Sequence, residues 1–201
     1  MTSPENMASS DTGDARTDRP AHLFVVSGPA GAGKGTIVSQ VCARMPNLWL
    51  SISATTRPPR GVEKDGVDYV FLSDEDFSDK IAEGDFLEWA DVHGHRYGTL
   101  RSAVSAHLEA GECVLLEIDV QGAFKVKDAF PDARLIFIAP PSFKELERRL
   151  RARNTDDEAQ IELRLDNAVW EMSMSARYNI TIVNDDLDEA VDEVVSYIVH
   201  F

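Results

Sequence analysis

Gly28-Pro29-Ala30-Gly31-Ala32-Gly33-Lys34-Gly35-Thr36 is the stretch that decides how the rest of the chain is read. It follows an apolar run, Leu23-Phe24-Val25-Val26, and opens a segment in which Ile37, Val38 and Val41 recur at helical spacing. Strand, glycine-rich turn and helix is the context in which a loop cradles phosphates. Glycines let the backbone curl so that successive N–H groups point inward, and the helix N-terminus adds partial positive charge. Lys34 brings a full charge to the β- and γ-phosphates. Gly28 and the Gly33-Lys34 pair stand at the spacing of a P-loop, which sets the stretch apart from a flexible glycine turn. All of residues 28–36 are therefore expected to bind the phosphate chain of a nucleotide.

The usual pattern places Ser or Thr directly after the lysine, where its hydroxyl reaches Mg²⁺. Here that place is held by Gly35 and the hydroxyl comes at Thr36, about 100° further round a helix of 3.6 residues per turn. The Gly-Lys-Gly-Thr ending resembles the loop of adenylate kinases. Water-mediated contact to the metal therefore stands beside direct ligation, and no metal ligand is assigned from the sequence.

The 201 residues are 43% apolar, enough for one core, and carry a formal net charge of −15. That charge argues against a general nucleic-acid or membrane-surface binder, and no apolar run approaches the roughly 20 residues that span a bilayer. Residues 1–19 are rich in Ser, Thr, Asp and Pro without an apolar centre, so a disordered tail over 1–21 is expected and not a secretory signal. Cys42 and Cys113 read as buried free thiols, which places the protein in the cytoplasm. Monomer and homo-oligomer are left open. Basic residues fall in two groups, Arg57 with Arg60, and Arg148, Arg149, Arg151, Arg153 and Arg164. Arginine forks suit phosphate oxygens.

Further along, 49–53 reads as a strand and 55–61 as a rigid loop, since Pro58-Pro59 blocks both helix and central strand. A strand is expected at 68–72, then a helix opened by Ser73 and Asp76 and ended by Gly84. Strand 86–92 leads into a turn at His93-Gly94-His95, whose histidines read as solvated and not as a metal pair. These short strands over 53–100 contrast with the β-α alternation on either side and mark an inserted subdomain. Helix 101–110, strand 113–118, helix 121–130, strand 134–138 and a basic helix capped by Ser142 and Glu145 follow. Residues 156–175 read as one long helix or a pair, 180–183 as the last strand and 187–199 as a closing helix with an acidic solvated face. The alternation predicts a parallel sheet covered on both faces, of P-loop NTPase type. Ligands should bind beyond the carboxyl ends of the strands, near the P-loop, Glu117 and Asp119.

The chain from 22 to 198 resembles guanylate kinases. The resemblance is carried by the P-loop, Ser53-Ala54-Thr55-Thr56-Arg57-Pro58-Pro59-Arg60, Asp65-Gly66-Val67-Asp68-Tyr69, and Phe86-Leu87-Glu88-Trp89-Ala90. It continues in Tyr97-Gly98-Thr99, Leu116-Glu117-Ile118-Asp119-Val120-Gln121-Gly122, Glu147-Arg148-Arg149-Leu150-Arg151-Ala152-Arg153 and Val183-Asn184-Asp185-Asp186. It implies transfer of the γ-phosphoryl group of ATP to GMP, with Mg²⁺. It also implies a core of 22–52, 101–148 and 166–201, a GMP-binding subdomain at 53–100 and a small helical lid at 149–165.

Carried over by position, Ser53, Arg57, Arg60 and Tyr69 would contact the GMP phosphate; two guanidinium forks and two hydroxyls on a stiffened loop match a dianion. Tyr97 reads either as a phosphate contact or as packing. Glu88 would accept from guanine N1–H and the exocyclic amine, which adenine does not present side by side, and Thr99 would reach the same edge. Glu117 and Asp119 are implied contacts to the base or the metal shell, with helix capping as the plainer role. Trp89 alternates with Glu88 and reads as core. Lys34, Arg149, Arg153 and Arg164 are the implied cations around the transferred group. Arg149 and Arg153 lie four apart on one helical face, which leaves Arg148 and Arg151 toward solvent or acidic neighbours. Asn154 stands where the family usually has Gly. Asn184 reads as a hold on the adenine side or on a lid arginine. Two other readings remain: a related interaction module that binds phosphopeptides without catalysis, and a P-loop kinase with another acceptor.

Overall fold

The computed structural model describes residues 20–92, 94–152 and 157–201. Residues 1–19 of the tail expected over 1–21, with His93, Arg153 and Asn154, lie outside them. The first sheet contains β1 (Leu23–Ser27), β2 (Leu48–Leu50), β7 (Cys113–Glu117), β8 (Arg134–Ala139) and β9 (Ile180–Val183). Its order is β2-β7-β1-β8-β9 and every pair is parallel. The P-loop strand is thus central. Successive side chains of β1 face opposite sides of the sheet, so both faces must be covered. Phe24 and Val26 pack with Ile37, Val38 and Val41 of α1 (Lys34–Arg44) and with Val191, Val194 and Ile198 of α7 (Leu187–Val199). Leu23 and Val25 pack with Val104 of α3 (Arg101–Glu109) and with Val120, Ala123 and Val126 of α4 (Val120–Ala129). This is a P-loop NTPase-type α/β fold.

A second sheet, order β4-β3-β6-β5, is built from β3 (Ala54–Thr55), β4 (Val70–Phe71), β5 (Phe86–Val92) and β6 (His95–Leu100). Its own core holds Ala54, Phe77, Phe86 and Leu100, with Trp89 packed against it as its alternation predicts. Phe77 comes from α2 (Asp74–Ala82), whose N-cap Ser73 accepts from the Asp76 amide. The strand expected at 49–53 is divided. The Ser51 amide still reaches Leu115 of the first sheet, while the Ser53 carbonyl already accepts from Val70 of the second. One extended run thus passes between two sheets, which residue pattern does not register. The strand at 68–72 shortens to β4 because Asp65 and Asp68 are engaged in the turn, accepting from the amides of Phe71 and Lys64. The segment expected as one long helix or a pair is one helix, α6 (Glu158–Ser173), followed by a 3₁₀ turn at Ser175–Arg177. Leu146 and Leu150 of α5 (Phe143–Ala152) pack with Ile161 and Ala168 of α6, and Ala30 of the P-loop sits on that cluster.

Candidate active site

The glycine loop takes its shape from close approach. Gly28 has φ +142°, and a Cβ there would lie 2.2 Å from the Ile138 carbonyl oxygen of β8. Gly33, the N-cap of α1, has φ +95°, and a Cβ would lie 2.3 Å from Asn184 Nδ2. Neither position tolerates a side chain. Asn184 Nδ2 donates to the Ala32 carbonyl at 2.7 Å, and the Asn184 carbonyl accepts from Arg149 Nη2 at 3.0 Å. Arg149 Nε also donates to Glu145 at 2.8 Å. One asparagine thereby ties α5 to the loop. Lys34 Nζ donates to the carbonyls of Gly28 at 2.7 Å and Pro29 at 3.1 Å, which holds the ammonium at the loop. Val26 pairs with Glu117 across β1 and β7, so the carboxylate at the end of β7 stands where the loop begins. A Cβ on Gly35 would lie 3.5 Å from Glu117 Oε1. The bare helix start there leaves room beside that carboxylate.

The arginine loop leaves β3. Pairing of Thr55 with Tyr97 and with Phe71 gathers Arg57, Tyr69 and Tyr97 at one place. The Arg57 guanidinium, 5% exposed, lies 5.2 Å from the Tyr69 ring centre, and the Tyr69 and Tyr97 rings are 6.1 Å apart edge to face. Glu63 takes Arg57 in a two-point grip, Nη2 to Oε1 and Nη1 to Oε2, each at 2.9 Å. These bonds raise the basicity of Arg57 above the ordinary guanidinium value, and Tyr97 adds to the effect. Arg57 and the Arg60 amide hold the Glu63 carboxyl below the usual range. Ser53 is half-buried beside β3, while the Arg60 side chain is exposed.

A cavity of about 390 Å³ lies between β5 of the second sheet, the start of α4 and α6, lined among others by Glu88, Asp119, Gly122, Lys125, Asn167 and Glu171. Glu88 pairs with Thr99 across β5 and β6, and Thr99 Oγ1 donates to Glu88 Oε1 at 2.7 Å. Burial pushes the Glu88 carboxyl up, and the Asp119 charge adds to this; the Thr99 bond and the Lys125 charge oppose it. A Cβ on Gly122 would lie 3.1 Å from Glu88 Oε2. Asp119 is the N-cap of α4 and accepts from the Gly122 amide at 2.8 Å. It therefore caps the helix, as its plainer reading held, while also facing the cavity.

The expected residues thus fall into three groups. Residues 28–36 and Glu117 sit at the end of β1, with Thr36 exposed on α1. Arg57, Tyr69 and Tyr97 come together on the second sheet, and Glu88, Thr99 and Asp119 border the cavity. Arg164 is half-buried on α6, away from the i,i+4 series of α5. Arg148 turns to Glu145, and Arg151 to Glu147 and Glu158, as solvent-side partners.

Glu63, Lys125, Asn167 and Glu171 were not singled out by sequence. Asn167 and Glu171 follow Arg164 at helical spacing, a pattern that marks one face of α6. Glu171 is pushed up to about 7 by burial and by Asp119, against the Lys34 charge. The unfolded carboxyl titrates near its ordinary value, so the native state binds the proton first. This stability contribution is full at low pH and is lost as pH rises through about 7. Glu171→Gln removes the penalty. Its melting temperature is expected to exceed that of the unaltered chain at about pH 8.5, with the gap closing toward about pH 5.5 in scanning fluorimetry. A gap independent of pH would show that the Glu171 carboxyl does not titrate in this range.

The guanylate kinase family model matches residues 20–201. The chain belongs to the guanylate kinase family. The guanylate kinase of Fusobacterium nucleatum is 50% identical over 176 residues, 88% of this chain and 95% of that one. That of Thermotoga maritima is 47% identical over 176 residues, 88% of this chain and 85% of that one. Among solved structures, the crystal structure of guanylate kinase from Anaplasma phagocytophilum superposes with a TM-score of 0.71 at 33% identity, covering 90% of this chain and 85% of that one. In this member of the family the P-loop follows the central strand of the first sheet, while the arginine loop and Glu88 belong to the second.

Proposed function

We propose that the protein transfers the γ-phosphoryl group of ATP to GMP, giving ADP and GDP. The observation that carries this reading is the buried Glu88 carboxylate, hydrogen-bonded to Thr99 and facing a cavity beside the P-loop sheet. Ionised, it offers two acceptors to the adjacent N–H donors of guanine, and adenine would leave it poorly paired. Residues 28–36 bind the ATP phosphates through inward amides and Lys34. Ser53, Arg57, Arg60, Tyr69 and Tyr97 hold the acceptor phosphate.

Phosphoryl transfer needs alignment and charge neutralisation more than a proton relay. Lys34, Arg149, Arg153 and Arg164 supply positive charge around the transferred group. We assign residues 53–100 to acceptor binding and 149–165 to a lid, whose closure excludes water as a competing acceptor. Mg²⁺ fits this site: it binds through one or two carboxylates plus substrate phosphates and water, and Glu117 borders the bare helix start at Gly35. Glu117 and Asp119 would hold it, with the Thr36 hydroxyl nearby in sequence. When bound, it neutralises phosphate charge. Among the described residues no helix is long and apolar enough to cross a membrane. The free thiols of Cys42 and Cys113 suit a reducing cytoplasm.

The test is nucleoside diphosphate formation with MgATP and GMP, AMP, CMP or UMP in parallel. Turnover confined to GMP is expected. Turnover with another acceptor would overturn the guanine pocket and keep the kinase. Absence of turnover in folded protein that still binds GMP would favour a non-catalytic binding module.

A further inference from the structure

Glu63 stands among the arginines expected to bind an anion, and its placement is specific. Its Oε2 accepts both from Arg57 Nη1 at 2.9 Å and from the Arg60 amide at 2.7 Å, while Oε1 accepts from Arg57 Nη2 at 2.9 Å. One carboxylate therefore clamps the side chain of one loop arginine and the backbone of the other. Arg57 Nη1 has a further acceptor in the Pro58 carbonyl at 2.9 Å. Both N–H groups of Nη1 and one of Nη2 are engaged in these bonds. The Nε edge of the fork, with the second N–H of Nη2, takes no part in them.

A carboxylate on a phosphate-binding arginine has one of two consequences, and they differ in sign. As a stand-in for the phosphate, Glu63 would have to be displaced, and removing it would tighten binding. As a brace on one edge, it orients the fork, and removing it would weaken binding. The bond pattern decides between them: Glu63 and Pro58 hold the end of the guanidinium and leave its Nε edge outside their grip, with the Tyr97 hydroxyl as a further partner of the side chain. A fork held at one end keeps an edge of the kind that phosphate recognition uses. A guanidinium that is 5% exposed also needs a lasting partner.

We propose that Glu63 is a positioning residue that stays on Arg57 and presets its Nε edge for the phosphate of the acceptor nucleotide. This rests on the assignment of Arg57 to the acceptor phosphate, so the test separates the two.

GMP and guanosine are titrated calorimetrically against the unaltered protein, Glu63→Gln, Glu63→Asp and Arg57→Ala. Loss of one charge-assisted grip is expected to weaken GMP about tenfold in Glu63→Gln. Guanosine binding and the KM for MgATP should be unchanged, because neither involves the acceptor phosphate. Glu63→Asp keeps the charge on a shorter stem and should recover part of the loss; it carries the test by itself if Glu63→Gln does not fold. GMP binding that is unchanged or tighter in the Glu63 variants, with Arg57→Ala still weakened, would overturn the brace alone. Unchanged GMP affinity in Arg57→Ala would overturn the phosphate assignment and the brace together. Equal weakening of GMP and guanosine would reduce Glu63 to a general structural role and also overturn the proposal.

Discussion

Lys34→Ala is expected to lower turnover about a thousandfold, the scale on which a preorganised charge at a transition state acts, while GMP affinity stays within about twofold of the unaltered protein. The separation follows from placement. Lys34 is the first residue of α1, held by the Gly28 and Pro29 carbonyls at the end of the central strand. The residues proposed to bind the acceptor come from the second sheet and the start of α4: Glu88 against Thr99, Arg57 against Tyr69. Charge removed from the donor phosphates should therefore appear in kcat, with little change in a GMP titration. Arginine at this position restores charge with a different reach and is expected to recover only a small part of the rate. Equal loss of kcat and GMP affinity would show that the loop had collapsed or that the two substrates were assigned to the wrong sites. A melting curve distinguishes those cases.

The second large effect is on selectivity. Glu88→Gln keeps the shape of the side chain and replaces one acceptor oxygen by a donor, which faces the guanine N–H groups with like polarity. The expected loss is about a hundredfold in kcat/KM for GMP, with AMP little changed, so the preference for GMP erodes. The same substitution should not weaken the fold. Burial has already pushed the Glu88 carboxyl upward, so its charge is a cost to the native state above the titration range. The melting temperature of Glu88→Gln at about pH 8 should equal or exceed that of the unaltered chain, in contrast to a packing defect. An unchanged GMP-to-AMP ratio would remove Glu88 from the base-reading role. A second consequence concerns acid: lowering pH protonates Glu88 earlier than an ordinary carboxylate, and guanine affinity should fall over that higher range.

Features that depend on neighbours in sequence were legible without a structure. The P-loop is local: strand pattern, glycine spacing, lysine and helix start occur within residues 23–41. The doubly covered parallel sheet follows from alternation of buried strands with amphipathic helices, since each apolar face requires a partner. Ser73 and Ser142 as helix starts are also local, resting on a side chain that reaches an amide three residues on. The resemblance of ordered motifs to guanylate kinases also nominated Arg57, Glu88 and Thr99 as candidate site residues before any contact was known.

The tertiary structure decided what depends on strand register and on close approach between distant segments. Asn184 lies against Ala32 and Gly33 only because β9 runs parallel beside β8 and ends at the loop. The Glu88 environment requires Thr99 from β6 and Gly122 from α4, and its raised carboxyl follows from that enclosure. Glu171 is one acid among many in an acidic chain until α6 turns it toward Asp119. Glu63 is likewise an ordinary loop glutamate until the chain folds it back onto Arg57 and the Arg60 amide. Residue types and their local spacing thus determined the fold class and the chemistry available to this protein. Which carboxylates are buried, braced or shifted was decided by three-dimensional proximity, because burial and charge–charge coupling act through space and not along the chain.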